Sequence, residues 1–487
     1  MDVFLGVDVG TASTKGVAVT ADGRVVARAQ VAHGLSSPRP GWYEHDPESV
    51  WWDDFRRVIA ELTADPEMRP AGLGVSGIGP CLLPADEAGR PLRPAVLYGI
   101  DTRAEEEIGL LTDRWGAAEI VRRGSILTSQ AIGPKLYWLA RHEPDIFART
   151  RMMFMASSFL VHRLTGEYLL DHHSASQVSP LYDQRAGDWD TAWWDEIAPH
   201  VRRPPLRWAN EVVGRVTAEA ARWTGLPAGL PVTAGTIDAW AEAESIAVRA
   251  PGDLMLMYGS TMFLVAMTDR PLTSSRLWPT VGLRPGVNCL AAGMATAGSV
   301  TGWLADLTGA DYTALTREAA AVAPGSDGLL MLPYLAGERT PIFDPRARGV
   351  VAGLTLGHGR GHLYRAALEG VAYGVRHNIA AMREAGAVPA RVVPVGGGTT
   401  GDLWTQIVSD VTGLVQELPR ETTGAAYGDA MLAAAATGAA SDSAAWNPMI
   451  RSIEPDPRHR DRYDALFADY LALYESTTPI VHRLSGP

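Results

Sequence analysis

Cysteine is nearly absent from this chain, with Cys81 and Cys289 the only two in 487 residues. Two thiols cannot build a disulfide framework, and neither has the CxxC or Cys/His spacing of a zinc site, so both are expected to be free and buried. Basic clusters are missing too, and with a formal net charge of −12 the chain favours neither nucleic acid nor an anionic membrane. No apolar run approaches the roughly 20 residues of a membrane helix. The N-terminus shows no basic segment followed by an apolar core and a cleavage site. These absences lead to the expectation of a soluble cytoplasmic protein whose partners are small molecules. Extensive disorder is excluded as well, because 46% of residues are hydrophobic and only 20% charged.

What the chain has is length, more than one core usually supports, which predicts two domains of about 240 residues each. The boundary is expected near Arg249-Ala250-Pro251-Gly252, giving segments 1–248 and 249–487.

The first fifteen residues already carry chemistry. A β-rich stretch, Val3 to Asp8, runs into Gly10-Thr11-Ala12-Ser13-Thr14-Lys15, and a second strand, Gly16 to Val19, follows. A turn holding glycine, hydroxyls, one carboxylate and one lysine suits phosphate on backbone N–H groups and hydrated Mg²⁺ on Asp8. The same letters also fit an ordinary hairpin. Asp22-Gly23 then turns the chain into a third strand, Arg24 to Val31. Asp46 and Pro47 start a helix whose apolar stripe is Val50, Trp51, Phe55, Val58, Ile59 and Leu62.

Leu73 to Ser76 reads as a strand ending in Gly77-Ile78-Gly79-Pro80, and Val96 to Ile100 as one ending in Asp101-Thr102-Arg103. Polar groups at strand ends are where α/β proteins place binding residues, although a helix N-cap explains Asp101 equally well. Asp171-His172-His173-Ser174-Ala175-Ser176 reads as a polar loop with solvated or locally hydrogen-bonded histidines. At Thr236-Ile237-Asp238 a strand stops before a helix of small residues, leaving Asp238 as either an N-cap or a base at an interdomain cleft.

The opening pattern then recurs. Asp253 to Tyr258, Gly259-Ser260-Thr261 and Met262 to Met267 repeat the hairpin, and Arg391 to Val395 running into Gly396-Gly397-Gly398 echoes Leu73 to Gly79. The small-residue helix after Gly428-Asp429 echoes the one after Asp238. This predicts a duplicated fold gripping a nucleotide between its copies, with a close helix crossing as hinge.

In that order the stretches resemble the FGGY family of carbohydrate kinases, members of the actin-like ATPase superfamily. The resemblance spans essentially the whole chain. It rests on Asp8-x-Gly10-Thr11-x-Ser13-x-Lys15, Trp42-x-Glu44-His45-Asp46-Pro47, the Asp238 junction and Gly259-Ser260-Thr261. The run Gly328 to Pro341, which includes Gly337-Glu338-Arg339-Thr340-Pro341, the run Leu363 to Tyr373, and Gly396-Gly397-Gly398 complete it. It implies a two-domain, duplicated α/β fold of actin-like (ribonuclease H-like) type with an interdomain cleft. The first domain would hold the sugar pocket and base, the second the nucleotide.

The resemblance implies ATP and Mg²⁺ as cofactors, with Asp238 as base, Asp8 orienting the metal, and Thr11, Ser13 and Lys15 near the terminal phosphates. From the second domain, Gly259, Ser260 and Thr261 would meet phosphate, and Gly396, Gly397 and Gly398 would let backbone pass beside the nucleotide. Gly79, Pro80, Tyr98, Asp101 and Arg103 are the candidates for the sugar pocket, while Glu338 and Arg339 are read as a structural ion pair outside the site. Family members are often dimers, so the resemblance leaves room for a homodimer, although no surface in the sequence identifies an interface. Their acceptors include glycerol, gluconate, ribulose and xylulose, and the length and overall pattern look most like the xylulose kinases, implying xylulose 5-phosphate as product. Two departures bear on that. Ile78-Gly79-Pro80 stands where family xylulose kinases often have Gln-Met-His, and Ala239 stands where many members carry Asn or Gln. A non-catalytic sugar-binding regulator on the same scaffold is the competing reading.

Overall fold

The computed structural model describes residues 1–440 and 443–485. Its first sheet is built from β1 (Asp2–Val9), β2 (Ser13–Thr20), β3 (Val25–Ala32), β4 (Arg69–Gly77), β5 (Val212–Arg215), β6 (Pro231–Thr233) and β7 (Thr236–Ile237). The second is built from β8 (Asp253–Tyr258), β9 (Met262–Thr268), β10 (Trp278–Val281), β11 (Asn288–Met294), β12 (Arg391–Val395), β13 (Gln416–Pro419) and β14 (Met449–Ile453). Along the first sheet the order is β3-β2-β1-β4-β6-β5, with β7 paired to β4; along the second it is β10-β11-β9-β8-β12-β13-β14. From β3 and from β11 inward the two orders match strand for strand.

Strand directions match as well. In each sheet three antiparallel strands lead to two parallel pairings, β1 with β4 and β4 with β6 in one, β8 with β12 and β12 with β13 in the other. The last strand of each returns antiparallel. The hairpins, glycine-ended strands and small-residue helices seen as echoes in the sequence therefore occupy equivalent places in two copies of one topology.

β1 is covered on both faces, as the inner strand of a mixed α/β sheet must be. Val3, Leu5, Val7 and Val9 pack with Trp51, Phe55, Val58 and Ile59, so that one face rests on α1 (Asp53–Leu62) and the turn before it. Asp46 caps that turn by accepting from the backbone N–H groups of Glu48 and Ser49, with Pro47 in the first helical position. On the other face Phe4 packs with Ala426, Tyr427 and Ala430.

Those three residues belong to a helix from the far end of the chain. The helix opened by Asp238 is α2 (Asp238–Ser245), and the late one is α3 (Ala425–Ala436), laid against the first sheet. The contact is backbone on backbone. A Cβ on Gly6 would fall 1.8 Å from the Ala426 carbonyl oxygen, one on Gly74 would fall 2.1 Å from that of Asp429, and one on Gly428 would fall 1.9 Å from that of Ala241. Small residues thus let α2, α3 and the sheet meet without intervening side chains, and the same approach carries Asp429 to the ends of β1 and β4.

Two local expectations give way. The strand foreseen over Val96 to Ile100 shrinks to Ala95–Val96, because the carbonyls of Leu97 and Tyr98 turn instead to the Lys135 ammonium. The polar loop foreseen at Asp171 is a short helix, His172–Ser176, capped by the Asp171 carboxylate. Its His173 is fully buried, stacks on Trp240 and donates from Nδ1 to the Val281 carbonyl of the second sheet. Burial lowers the His173 pKa to about 3, so it sits there as a neutral ring. Cys81 and Cys289 are free and buried. Among the described residues no helix is long and apolar enough to cross a membrane.

Candidate active site

A cavity of about 300 Å³ lies between the two halves. Asp8, Asp238 and Glu242 reach it from the first half; Thr261, Phe263 and Trp278 reach it from the second. The register of β1 explains Asp8: it projects on the same face as Phe4 and Gly6, toward α3. Asp238 opens α2, where the helix dipole favours a negative charge, and the Ala239 N–H donates to its Oδ1 at 2.7 Å.

Four carboxylates share this end of the cleft. Ser76 Oγ donates to Asp429 Oδ2 at 2.6 Å and reaches Asp8 Oδ1 at 3.4 Å, while Asp429 Oδ1 is buried with no hydrogen-bond partner. Glu242 lies one helical turn beyond Asp238. Burial first, then the nearby Asp8 charge, hold Asp238 well above the ordinary carboxylate range. Burial likewise raises Asp8 to about 6 and Glu242 to about 7, each opposed by the Lys15 charge. Asp429 is pushed up by burial and by Asp8 and Asp238 together. Negative groups crowded around one exposed lysine form a site short of positive charge.

Lys15 stands directly across from Asp8 in the β1–β2 register, exposed, and does not line the cavity. Thr11 and Ser13 flank the tip of the same hairpin. The Gly10 N–H donates to the Ser13 carbonyl at 3.0 Å, and Thr11 Oγ1 lies 3.4 Å from the Tyr98 hydroxyl. The chain contains only two lysines, Lys15 and Lys135. The second is buried beside the cavity and donates to the carbonyls of Leu97 and Tyr98.

The matching tip in the second half is Gly259-Ser260-Thr261, all three exposed. Its carbonyls are held by the start of the helix Gly298–Thr308: the N–H of Gly298 donates to Gly259 O at 2.9 Å, and those of Ala297 and Ser299 donate to Ser260 O. Gly396 lies beside this hairpin with φ +92°, and a Cβ there would come 2.5 Å from the Tyr258 carbonyl, so only glycine fits. A Cβ on Gly397 would meet nothing within 4 Å, and one on Gly398 would strike the Trp404 ring. Thr261 lines the cavity, and the three glycines adjoin the same hairpin outside it.

Gly79, Pro80 and Tyr98 also line the cavity, but Asp101 and Arg103 do not, and both side chains are fully buried. Arg103 bonds Asp101 at 2.7 Å and Glu44 at 2.8 Å, and its guanidinium lies 4.2 Å above the Trp42 ring. The Asp101 carboxylate also accepts the Tyr43 N–H at 2.7 Å. They do not sit at a strand end, because the strand stops at Val96 and leaves them in the loop beyond it, where the Trp42–Glu44 segment covers them and they brace the pocket wall instead of facing a ligand.

Several residues in or behind the cavity escaped the sequence. Glu242 had a signal, a carboxylate four residues after Asp238 on one helix face. Ser76 and Asp429, which lie behind Asp8 and do not line the cavity, had none, since their meeting depends on α3 crossing back onto the first sheet. Arg339, set aside as half of an ion pair, lines the cavity instead. The Glu338 carboxylate accepts the N–H groups of Ala295 and Arg339, and the guanidinium donates to the Met294 carbonyl at 3.2 Å.

Two copies of one sheet topology with carboxylates in the cleft between them define the actin-like ATPase class of fold. Residues 3–243 match the N-terminal domain of the FGGY family of carbohydrate kinases, and residues 254–437 match its C-terminal domain. This chain belongs to the FGGY family of carbohydrate kinases, enzymes that phosphorylate sugars. It is 30% identical to the xylulose kinase of Escherichia coli K12, over 98% of this chain and 100% of that protein. It is 32% identical to the glycerol kinase of Alkalilimnicola ehrlichii, over 90% of this chain and 91% of that one. The crystal structure of xylulose kinase from Rhodospirillum rubrum superposes with a TM-score of 0.92 at 35% identity, covering 99% of this chain and 100% of that one.

Proposed function

We propose that the protein transfers the γ-phosphoryl group of ATP to a primary hydroxyl of a ketopentose, D-xylulose, giving xylulose 5-phosphate. The observation that carries this reading is the placement of Asp238 in a cavity walled by both halves, with Asp8 beside it and Thr261 opposite. Similarity to xylulose kinases over nearly the whole chain supports the choice of sugar.

We assign each residue a role that suits its place. Asp238 accepts the proton of the acceptor hydroxyl as that oxygen attacks the γ-phosphorus in line, and proton transfer late in the step suits a carboxylate. Thr11, Ser13 and Lys15 at one hairpin tip and Gly259, Ser260 and Thr261 at the other grip the terminal phosphates from opposite sides, with Gly396, Gly397 and Gly398 giving the nucleotide close passage. Gly79, Pro80 and Tyr98 line the acceptor end. The donor set also fits Mg²⁺, since its oxygens are hard carboxylates in a cluster short of positive charge and one of them, on Asp429, is buried and unpaired. Asp8 would hold the hydrated ion, with Ser76 and Asp429 behind it. Bound there, Mg²⁺ supplies charge neutralisation on the phosphates. Among the described residues, only Glu106, Glu107 and His142 bring three metal-type ligand atoms within 4.8 Å of one another, and Arg141 already pairs with both glutamates.

A second reading, another polyol or a sugar acid as acceptor, is favoured by the wall itself. Trp240, Phe263 and Trp278 line the cavity, and Gly79 and Ala239 bring no side-chain hydrogen bonds to it. A panel of ketoses, polyols and aldonates with Mg-ATP separates the two by relative kcat/KM. Absence of acceptor-dependent ADP release across the panel overturns both.

A further inference from the structure

The first half brings hydroxyls and amides to the cavity wall, among them Tyr98, Ser176 and Gln177, but its charged groups there are all carboxylates, whereas the second half contributes a guanidinium. Arg339 lines the cavity and has no carboxylate within 4.0 Å among the described residues. Of the five N–H donors of a guanidinium, its hydrogen bonds among the described residues use one, to the Met294 carbonyl. The backbone beneath it is fixed. Glu338 takes two N–H groups, and Thr340 exchanges hydrogen bonds with Gly293 in both directions while its hydroxyl also bonds Asn378 at 2.7 Å. Across the cavity lies Tyr98, whose phenol burial raises and the Arg339 charge draws back down. Burial in turn disfavours the Arg339 cation, opposed by the charge of the neighbouring Glu338, whose carboxylate is itself taken up by backbone N–H groups. A charged group kept partly desolvated, rigidly mounted and short of partners is costly unless a ligand completes its hydrogen bonds.

We propose that Arg339 is a specificity-determining residue that donates to hydroxyl oxygens of a bound polyol lying against Tyr98, so that the second half grips the acceptor directly. This inference rests on the kinase reading above and adds a consequence to it. The acceptor bridges the halves through Tyr98 and Asp238 on one side and Arg339 on the other, so phosphoryl transfer and cleft closure are favoured together when acceptor is present.

The test compares wild type, Arg339→Met and Arg339→Lys in the full-length protein. It measures acceptor KM, ATP KM, kcat and acceptor-independent ATP hydrolysis, with thermal melting as a check on folding. For Arg339→Met the expected result is an acceptor KM raised about tenfold or more, as loss of charge-assisted hydrogen bonds to a hydroxyl entails. ATP KM should stay within about twofold, with a larger share of ATP hydrolysed without transfer. Arg339→Lys keeps the charge but not the fork, and should recover part of the acceptor affinity. An unchanged acceptor KM in a folded Arg339→Met variant overturns the proposal, as does a rise in ATP KM that matches or exceeds the rise for acceptor. If Arg339→Met fails to fold, Arg339→Lys decides: an acceptor KM equal to wild type overturns the proposal and a selective rise supports it. A wild type inactive on every acceptor overturns the kinase reading itself, an outcome distinct from these.

Discussion

The two halves share a sheet topology and divide the chemistry. In the first, the strand leading to the hairpin tip carries Asp8; at the matching place before Gly259 the second has Met257. The helix opened by Asp238 in one half has as its counterpart α3, which follows Gly424 and contributes alanine and glycine to the contact. Three of the four clustered carboxylates, on Asp8, Asp238 and Glu242, stand on the first copy, and the second brings Asp429 together with hydroxyls, glycines and Arg339. Duplication supplies two jaws of the same shape, and divergence leaves most of the cleft carboxylates on one of them. Identical carboxylate sets on both would crowd still more negative charge against ATP.

Breaking the charged jaw has the largest expected effect. Asp238→Asn should lower kcat by a factor of about 10³ while nucleotide affinity stays near wild type, because a general base contributes mainly in the transition state. Rapid-quench ADP measurements beside calorimetric ATP binding check this. Gly6→Ala attacks the scaffold that brings the halves together. Its methyl cannot coexist with the Ala426 carbonyl 1.8 Å away, so unfolding stability should fall by about 3 kcal/mol, read from urea denaturation.

Electrostatic crowding gives a smaller effect with a definite sign. The Glu242 carboxyl is raised from 4.5 to about 7 on folding, so its contribution to stability is full below about pH 4.5 and is lost as pH rises through 7. Glu242→Gln should therefore stabilise the ligand-free protein at pH 8 by on the order of 1 kcal/mol, a value kept low because the group faces the open cleft, and the gain should vanish near pH 4. Melting curves across pH decide it. Gly397→Ala sharpens the comparison on the other jaw. With nothing within 4 Å of the new methyl, stability should change by less than about 0.5 kcal/mol. A fall in ATP affinity would then report nucleotide passing beside it.

The parts legible in the sequence were those with local causes. Alternating β-branched residues, tight turns and a cap at Asp46 mark the hairpins and α1 without tertiary information, and their repetition after residue 250 exposes the duplication. Asp101 and Arg103 mislead because a strand end says nothing about what will cover it, and Trp42 does so from sixty residues upstream. Asp429 stays hidden for a related reason: only an approach of α3 close enough to exclude a Cβ at Gly6 and Gly74 takes it to Asp8. Arg339 looked spoken for by its neighbour Glu338, whose carboxylate instead binds backbone N–H groups.

The scarcity of lysine has a practical side. Apart from histidine, arginine supplies every other basic side chain, so an amine-directed reagent meets only the N-terminus, the exposed Lys15 and the buried Lys135. Among side chains, mild acylation should therefore mark Lys15 almost selectively, and peptide mapping of that mark would report how fully added nucleotide shields the hairpin.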